Sequence, residues 1–113
     1  VREFPRVRGV FHCFAGSVEM ARELVDRGWY LSFNGAATFK NARKAPEVIR
    51  AVPMERLMIE TDAPYLTPVP YRGRRNDSTY VRLVAEKIAQ LRGMTPAEVE
   101  QATWDNGKRF FGI

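Results

Sequence analysis

Apolar and polar positions fall in short blocks along the chain, and the period of these blocks changes several times. Residues 7–14 form an apolar run that predicts a strand. The run breaks at Ala15-Gly16-Ser17, where the Ser17 hydroxyl suits a helix N-cap and Ala21, Leu24 and Val25 then share one helical face. Gly28 supplies the stop. Residues 29–33 are a second compact apolar block, rich in aromatics and too short for a helix, so a buried strand is predicted. A loop follows at Asn34-Gly35-Ala36-Ala37, and Pro46 suits the first turn of a helix running to about Val52, with Val48, Ile49 and Val52 inward. Pro53 ends it. Residues 57–60 predict a third strand, and 61–79, with three prolines and a basic cluster, predict a long loop. From Tyr80 the positions Val81, Val84, Ala85, Ile88 and Leu91 repeat with a helical period as far as Gly93. Thr95-Pro96-Ala97-Glu98 matches a capping box with proline at the first helical position, so another helix starts at once. Phe110-Phe111-Gly112 reads as a packed tail.

Strands alternating with helices imply parallel pairing through right-handed crossovers, hence an α/β fold with buried strands. About three strands are expected, whereas a closed β/α barrel has eight and usually roughly 250 residues. The sheet is therefore expected to expose two edges.

With 113 residues, 45% hydrophobic and 27% charged, the composition is that of one globular domain and excludes a disordered or collagen-like chain. No apolar run approaches the roughly 18 residues of a membrane span and no secretory pattern opens the sequence, so a soluble, cytoplasmic protein with no membrane partner is expected. The single cysteine, Cys13, agrees with a reducing compartment. A net charge of +5 favours polyanionic partners without identifying one. The chain opens at Val1 rather than Met, which suggests that an upstream piece has been removed.

Candidate chemistry gathers at the predicted carboxyl ends of the strands, where parallel α/β folds place their sites. His12 ends the first strand and Asp62 follows the third. The two suit a shared divalent cation, or are a hydrogen-bonded histidine and a loop cap. Glu60 fits a second ligand, a base or half of an ion pair. Above this strand end, Arg72, Arg74 and Arg75 flank Gly73 and precede Asn76, and guanidinium forks match phosphate oxygens. Pairing with acids such as Asp77 is the competing use of these arginines. Tyr65 and Tyr71 suit stacking on bases or packing of the loop. Ser32 and Asn34 face the same opening, with a turn-forming Asn-Gly as the plainer reading. Cys13 is expected to face away from His12 and to be buried, and no base partner marks it as a nucleophile. Phe11, Phe14, Trp29, Phe33 and Phe39 read as packing residues.

Four strings then accumulate in order: His12-Cys13-Phe14-Ala15-Gly16-Ser17; Ser32-Phe33-Asn34-Gly35 with Thr38-Phe39-Lys40-Asn41; Glu60-Thr61-Asp62-Ala63-Pro64-Tyr65-Leu66; and Arg72-Gly73-Arg74-Arg75-Asn76. Together they resemble the carboxyl-terminal part of the TatD family of metal-dependent deoxyribonucleases. Thr103, Asn106, Arg109 and Phe110-Phe111-Gly112 resemble that family's last helix. The resemblance implies that residues 1–113 are the carboxyl-terminal portion of a TIM (β/α)8 barrel of the amidohydrolase type, from its sixth strand through its eighth and the final helices. It implies metal ligation by His12 and Asp62, with Asp62 also helping to activate water, and a divalent Mg, Mn or Zn centre. The family's remaining ligands, a His-x-His pair, a glutamate and a further histidine, have no counterpart here. His12 is the only histidine. Asn34, Tyr65, Arg72, Arg75 and Asn76 match the substrate side of the site. Asp77-Ser78 departs from the Glu-Pro of many relatives and removes a φ constraint from the loop.

The implied activity is 3′ exonucleolytic cleavage of single-stranded DNA, with RNA a further substrate, by a protein inactive without the amino-terminal half of the barrel. Two other readings are a non-catalytic polyanion binder that self-associates and a metal-dependent aminoacyl-tRNA deacylase. A chain standing alone is expected to aggregate, form an oligomer or keep an amino-terminal partner piece, because its apolar sheet edges are uncovered.

Overall fold

A computed structural model describes residues 7–113. Residues 1–6, including the Val1 that suggests an upstream piece, lie outside the described residues. The elements alternate as the apolar blocks require: β1 (Val10–Phe11), α1 (Val18–Asp26), β2 (Tyr30–Phe33), α2 (Lys44–Ala51), β3 (Leu57–Ile59), α3 (Val81–Arg92) and α4 (Pro96–Phe111). Single 3-10 turns at Gly35–Thr38, Met54–Arg56 and Ser78–Tyr80 lead into the loop, strand or helix that follows.

The described strands form one parallel sheet in the order β1-β2-β3. Val10 lies opposite Tyr30, and Leu31, Ser32 and Phe33 lie opposite Leu57, Met58 and Ile59. This is a continuous piece of β/α winding, each strand beside the next, with helices covering one face.

Local signals set the helix ends. Ser17 Oγ accepts the Met20 amide at 3.2 Å and starts α1. Thr95 and Glu98 complete a reciprocal capping box around Pro96 at the head of α4. Gly93 closes α3 at φ 67°, a left-handed conformation that a side chain would strain. The core forms where the helix stripes meet the sheet: Leu31, Phe33 and Leu57 pack with Val48 and Ile49 of α2, Val84 and Ile88 of α3, and Val99 of α4, all buried. At the other end of the strands Asn106 of α4 is 1% exposed and donates to the carbonyls of Met54 and Leu57 at 2.8 and 2.7 Å. These two bonds fasten the last helix under β3.

Three expectations require correction. The strand predicted over 7–14 pairs as a ladder only at Val10–Phe11; the chain turns at His12-Cys13, and pairing resumes where the Phe14 amide donates to the Ser32 carbonyl at 3.0 Å. Cys13 lies in that turn at φ 49° and is exposed, not buried, because the extra residue leaves it outside the strand alternation. Phe110 and Phe111 form the last turn of α4 rather than a packed tail; Phe110 meets the Tyr30 ring edge-on at 5.5 Å, and Phe111 stands 67% exposed.

Candidate metal centre and basic loop

The turn at His12 and the residues after β3 meet at the carboxyl end of the sheet. The Glu60 amide extends the parallel ladder by donating to the Phe33 carbonyl at 2.9 Å, which fixes where its side chain emerges. One Glu60 oxygen accepts the Cys13 amide at 2.7 Å, and the other lies 3.5 Å from His12 Nδ1. Of the roles open to Glu60, the geometry shows a contact with the imidazole. It is largely buried, while the imidazole is 73% exposed. With Nδ1 beside a carboxylate, Nε2 is the nitrogen left for a ligand or metal.

Asp62 lies two residues beyond Glu60 and is exposed. Its backbone carbonyl accepts the Tyr65 amide at 2.7 Å, but its carboxylate has no partner among the described residues. The side-chain oxygen that holds this turn belongs to Thr61, which accepts the Ala63 amide at 3.2 Å. Asp62 is thus not the loop cap, and its oxygens are available. The signal for Thr61 was present in the sequence: a hydroxyl two residues ahead of an amide is an ST-turn.

Below Tyr65 the loop is folded on itself. Asn76 Nδ2 donates to Thr61 Oγ1 at 2.9 Å and to the Tyr65 carbonyl at 2.8 Å, and its own amide donates to the Pro64 carbonyl at 3.0 Å. Asn76 is 3% exposed, and its Oδ1 is buried with no partner among the described residues. The loop rests on the 3-10 turn after β2, where Thr38 Oγ1 accepts the Val69 amide at 2.8 Å. A Cβ on Gly35 would lie 1.9 Å from the Leu66 carbonyl oxygen, so the approach of loop to turn needs glycine there. Asn34, 2% exposed, accepts the Ala36 amide through Oδ1 at 3.0 Å and so caps that turn.

The cations of the loop stay open. Arg72 lies over the Phe39 ring at 3.8 Å and Arg74 over Tyr71 at 5.9 Å. None of Arg72, Arg74 and Arg75 pairs with an acid among the described residues. Asp77, the nearest acid in sequence, instead accepts the hydroxyl and amide of Thr79, and these hydrogen bonds hold its carboxyl below the usual range. Tyr71 stacks on Tyr80 at 4.9 Å and so packs the loop, whereas Tyr65 is 69% exposed.

His12 and Asp62 supply one nitrogen and one carboxylate, both open and of a type that divalent cations accept. They fit part of a coordination shell. Among the described residues no group of three or more His, Cys, Asp or Glu side chains is placed to hold a metal.

A family model described as TatD related DNase matches residues 1–112. An uncharacterized metal-dependent hydrolase of Bacillus subtilis, YabD, is 53% identical over 107 residues, which are 95% of this chain and 42% of that protein. Its counterpart YcfH from Escherichia coli is 49% identical over 105 residues, 93% of this chain and 40% of that protein. The crystal structure of YjjV, a TatD homologue from Escherichia coli, superposes with a TM-score of 0.85 at 31% identity, covering 96% of this chain and 42% of that one. The chain thus spans well under half the length of these relatives. Its three parallel strands and helices have the fold of the corresponding portion of a TatD-type barrel.

Proposed function

Because this chain belongs to the family of TatD-related DNases, whose similar members are named metal-dependent hydrolases, we propose that it supplies one side of a metal-dependent phosphodiesterase acting on single-stranded DNA from its 3′ end. The observation that carries the reading is the occurrence of His12 and Asp62, both exposed, together with three guanidinium groups that have no acidic partner among the described residues, in the loop at the same end of the sheet. A donor set alone suits many hydrolases; the added cations select a substrate with several negative charges.

His12, through Nε2, and Asp62, through its carboxylate, would hold a divalent cation. A divalent cation held there supplies Lewis acidity to the phosphodiester and makes water easier to deprotonate. Glu60 keeps the imidazole oriented by facing Nδ1, and its second oxygen fixes the turn that carries the ring. Asp62 takes the proton of the attacking water as the bond between phosphorus and the departing 3′ oxygen breaks, and returns it to that oxygen. Arg72, Arg74 and Arg75 hold strand phosphates without reading sequence, and exposed Tyr65 offers a ring for a terminal base. The ligands absent from this chain come from the strands that complete the barrel in longer relatives, and the chain is inactive without them.

The test is release of nucleotides from single-stranded DNA labelled at either end by the completed barrel. Chelator-reversible release from the 3′ end first is the expected outcome; metal-independent cleavage, or none, contradicts it. The limited donor set favours one second reading, a polyanion-binding chain without catalysis. That chain would bind DNA in a salt-sensitive way and never cleave it.

A further inference from the structure

Between the turn after β1 and the start of α2 lies a cavity of about 400 Å³, of the size that holds small molecules. Phe14 and Phe33, both buried, line it together with the ring of Phe39. Asn34 lines it as well. Its Oδ1 is used on the Ala36 amide, but its buried Nδ2 has no hydrogen-bond partner among the described residues. A donor that is neither solvated nor paired is a standing cost, unless a ligand supplies the acceptor.

A second anomaly borders the same cavity. Arg43 and Lys44, which begin α2, line it, and this helix has no side-chain cap. Helix starts carry unpaired amides and the positive end of the dipole, so they favour Ser, Asp or an acid. Here the N-cap residue and the first helical residue are both cationic, and Glu47 is the only acid in the first turn. Arg72, lying over Phe39, brings a third cation to the rim. One ligand resolves both anomalies: a phosphate at the start of α2, joined to a flat ring that lies among the phenylalanines and presents an acceptor to Asn34.

We infer that this cavity is a nucleotide subsite, taking the base and phosphate of one unit of the strand whose cleavage is proposed above. The inference rests on that reading and adds where a nucleotide near the metal centre is held. Every base has an aromatic face and an acceptor, so the subsite grips without selecting sequence.

The experiment is calorimetric titration of the protein, in chelator so that no hydrolysis occurs, with thymidine 5′-monophosphate and with deoxyribose 5-phosphate. The nucleotide is expected to bind about tenfold more tightly than the sugar phosphate, the increment of one stacked base. Arg43→Ser removes a cation and gives α2 its missing cap. It should raise the thermal midpoint while weakening both ligands about tenfold, the loss of one charge-assisted contact. Asn34→Asp keeps the acceptor for Ala36 and removes the donor, so the advantage of the nucleotide over the sugar phosphate should vanish. Equal binding of the two ligands by the unaltered protein overturns the base pocket. An Arg43→Ser protein that is more stable with undiminished affinity overturns the phosphate position. Failure of the phosphodiesterase reading alone would leave this binding pattern intact in a protein that cleaves no DNA. Failure of the subsite alone would leave chelator-sensitive cleavage without the pattern.

Discussion

Both oxygens of Glu60 are engaged, one on the Cys13 amide and the other beside His12 Nδ1. Glu60→Gln keeps an oxygen for the amide and removes the anion that orients the imidazole. Metal affinity of the completed barrel, measured by calorimetry, is expected to fall about 10- to 100-fold, as outer partners of metal-bound histidines usually show. The thermal midpoint should change little, which separates positioning from folding. Among the cations, Arg72, Arg74 and Arg75 have no acidic partners among the described residues, so each is available to a phosphate. Replacing all three should flatten the dependence of log affinity on log salt for single-stranded DNA by about 2, at roughly 0.7 per contact. An unchanged slope would place the strand elsewhere. That His12 and Asp62 come to the carboxyl end of the sheet was legible in the sequence, because each lies beside the end of a short apolar block in a fold of parallel strands. The bond from the Cys13 amide to Glu60 was not, because the two residues are 47 positions apart and the turn that brings them together is set by that contact. Asn76, which the family resemblance sets on the substrate side, has its Nδ2 bonded to Thr61 and Tyr65 within the loop, contacts between distant positions that no local pattern in the sequence records.

Helix starts followed from chemistry within four residues, which is why the starts of α1 and α4 could be read ahead of any structure, whereas the last turn of α4 could not. The capping box of α4 makes a test of that locality. Thr95→Ala should cost about 1 kcal/mol in chemical denaturation, because the Glu98 amide loses its acceptor. Hydrogen bonds from the Thr95 backbone and side chain lower the Glu98 carboxyl, and those from Thr79 lower that of Asp77. A carboxyl lowered on folding stabilises the native state above its unfolded pKa, and that contribution is lost as pH falls through the native value. Stability should therefore decline from about pH 4.5 downward, and less steeply in Thr95→Ala. An identical acid limb in both proteins would remove the capping explanation. Strand ends were less legible than helix ends. The ladder at β1 stops after Phe11 because a tie from beyond β3 turns the chain, and no periodicity within 7–14 records it.

Among the described residues the sheet has two open sides, with an apolar surface beside one of them. Met58 and Ile59 of β3, with Trp104 and Phe111 of α4, line a groove of about 370 Å³, and Trp104, Phe111 and Ile113 are 68%, 67% and 85% exposed. Such a surface is not left in water without consequence. The 113-residue chain on its own should self-associate, with a mass above 13.0 kDa in sedimentation at micromolar concentration. A soluble monomer that unfolds cooperatively would contradict this. The three-strand count and open edges were legible from the number of apolar blocks, whereas which aromatics remain exposed depended on how far α4 extends. At this scale the account depends on a completed barrel in which His12 and Asp62 serve chemistry and the arginine loop serves binding. The most direct measurement compares unaltered protein with Asp62→Asn for metal-dependent cleavage and for affinity toward the same single-stranded DNA. The account predicts that kcat falls by at least about 10³, the scale of losing a group that acts only in the transition state, while affinity stays the same or tightens as a negative charge is removed. Cleavage by Asp62→Asn at the unaltered rate would contradict it.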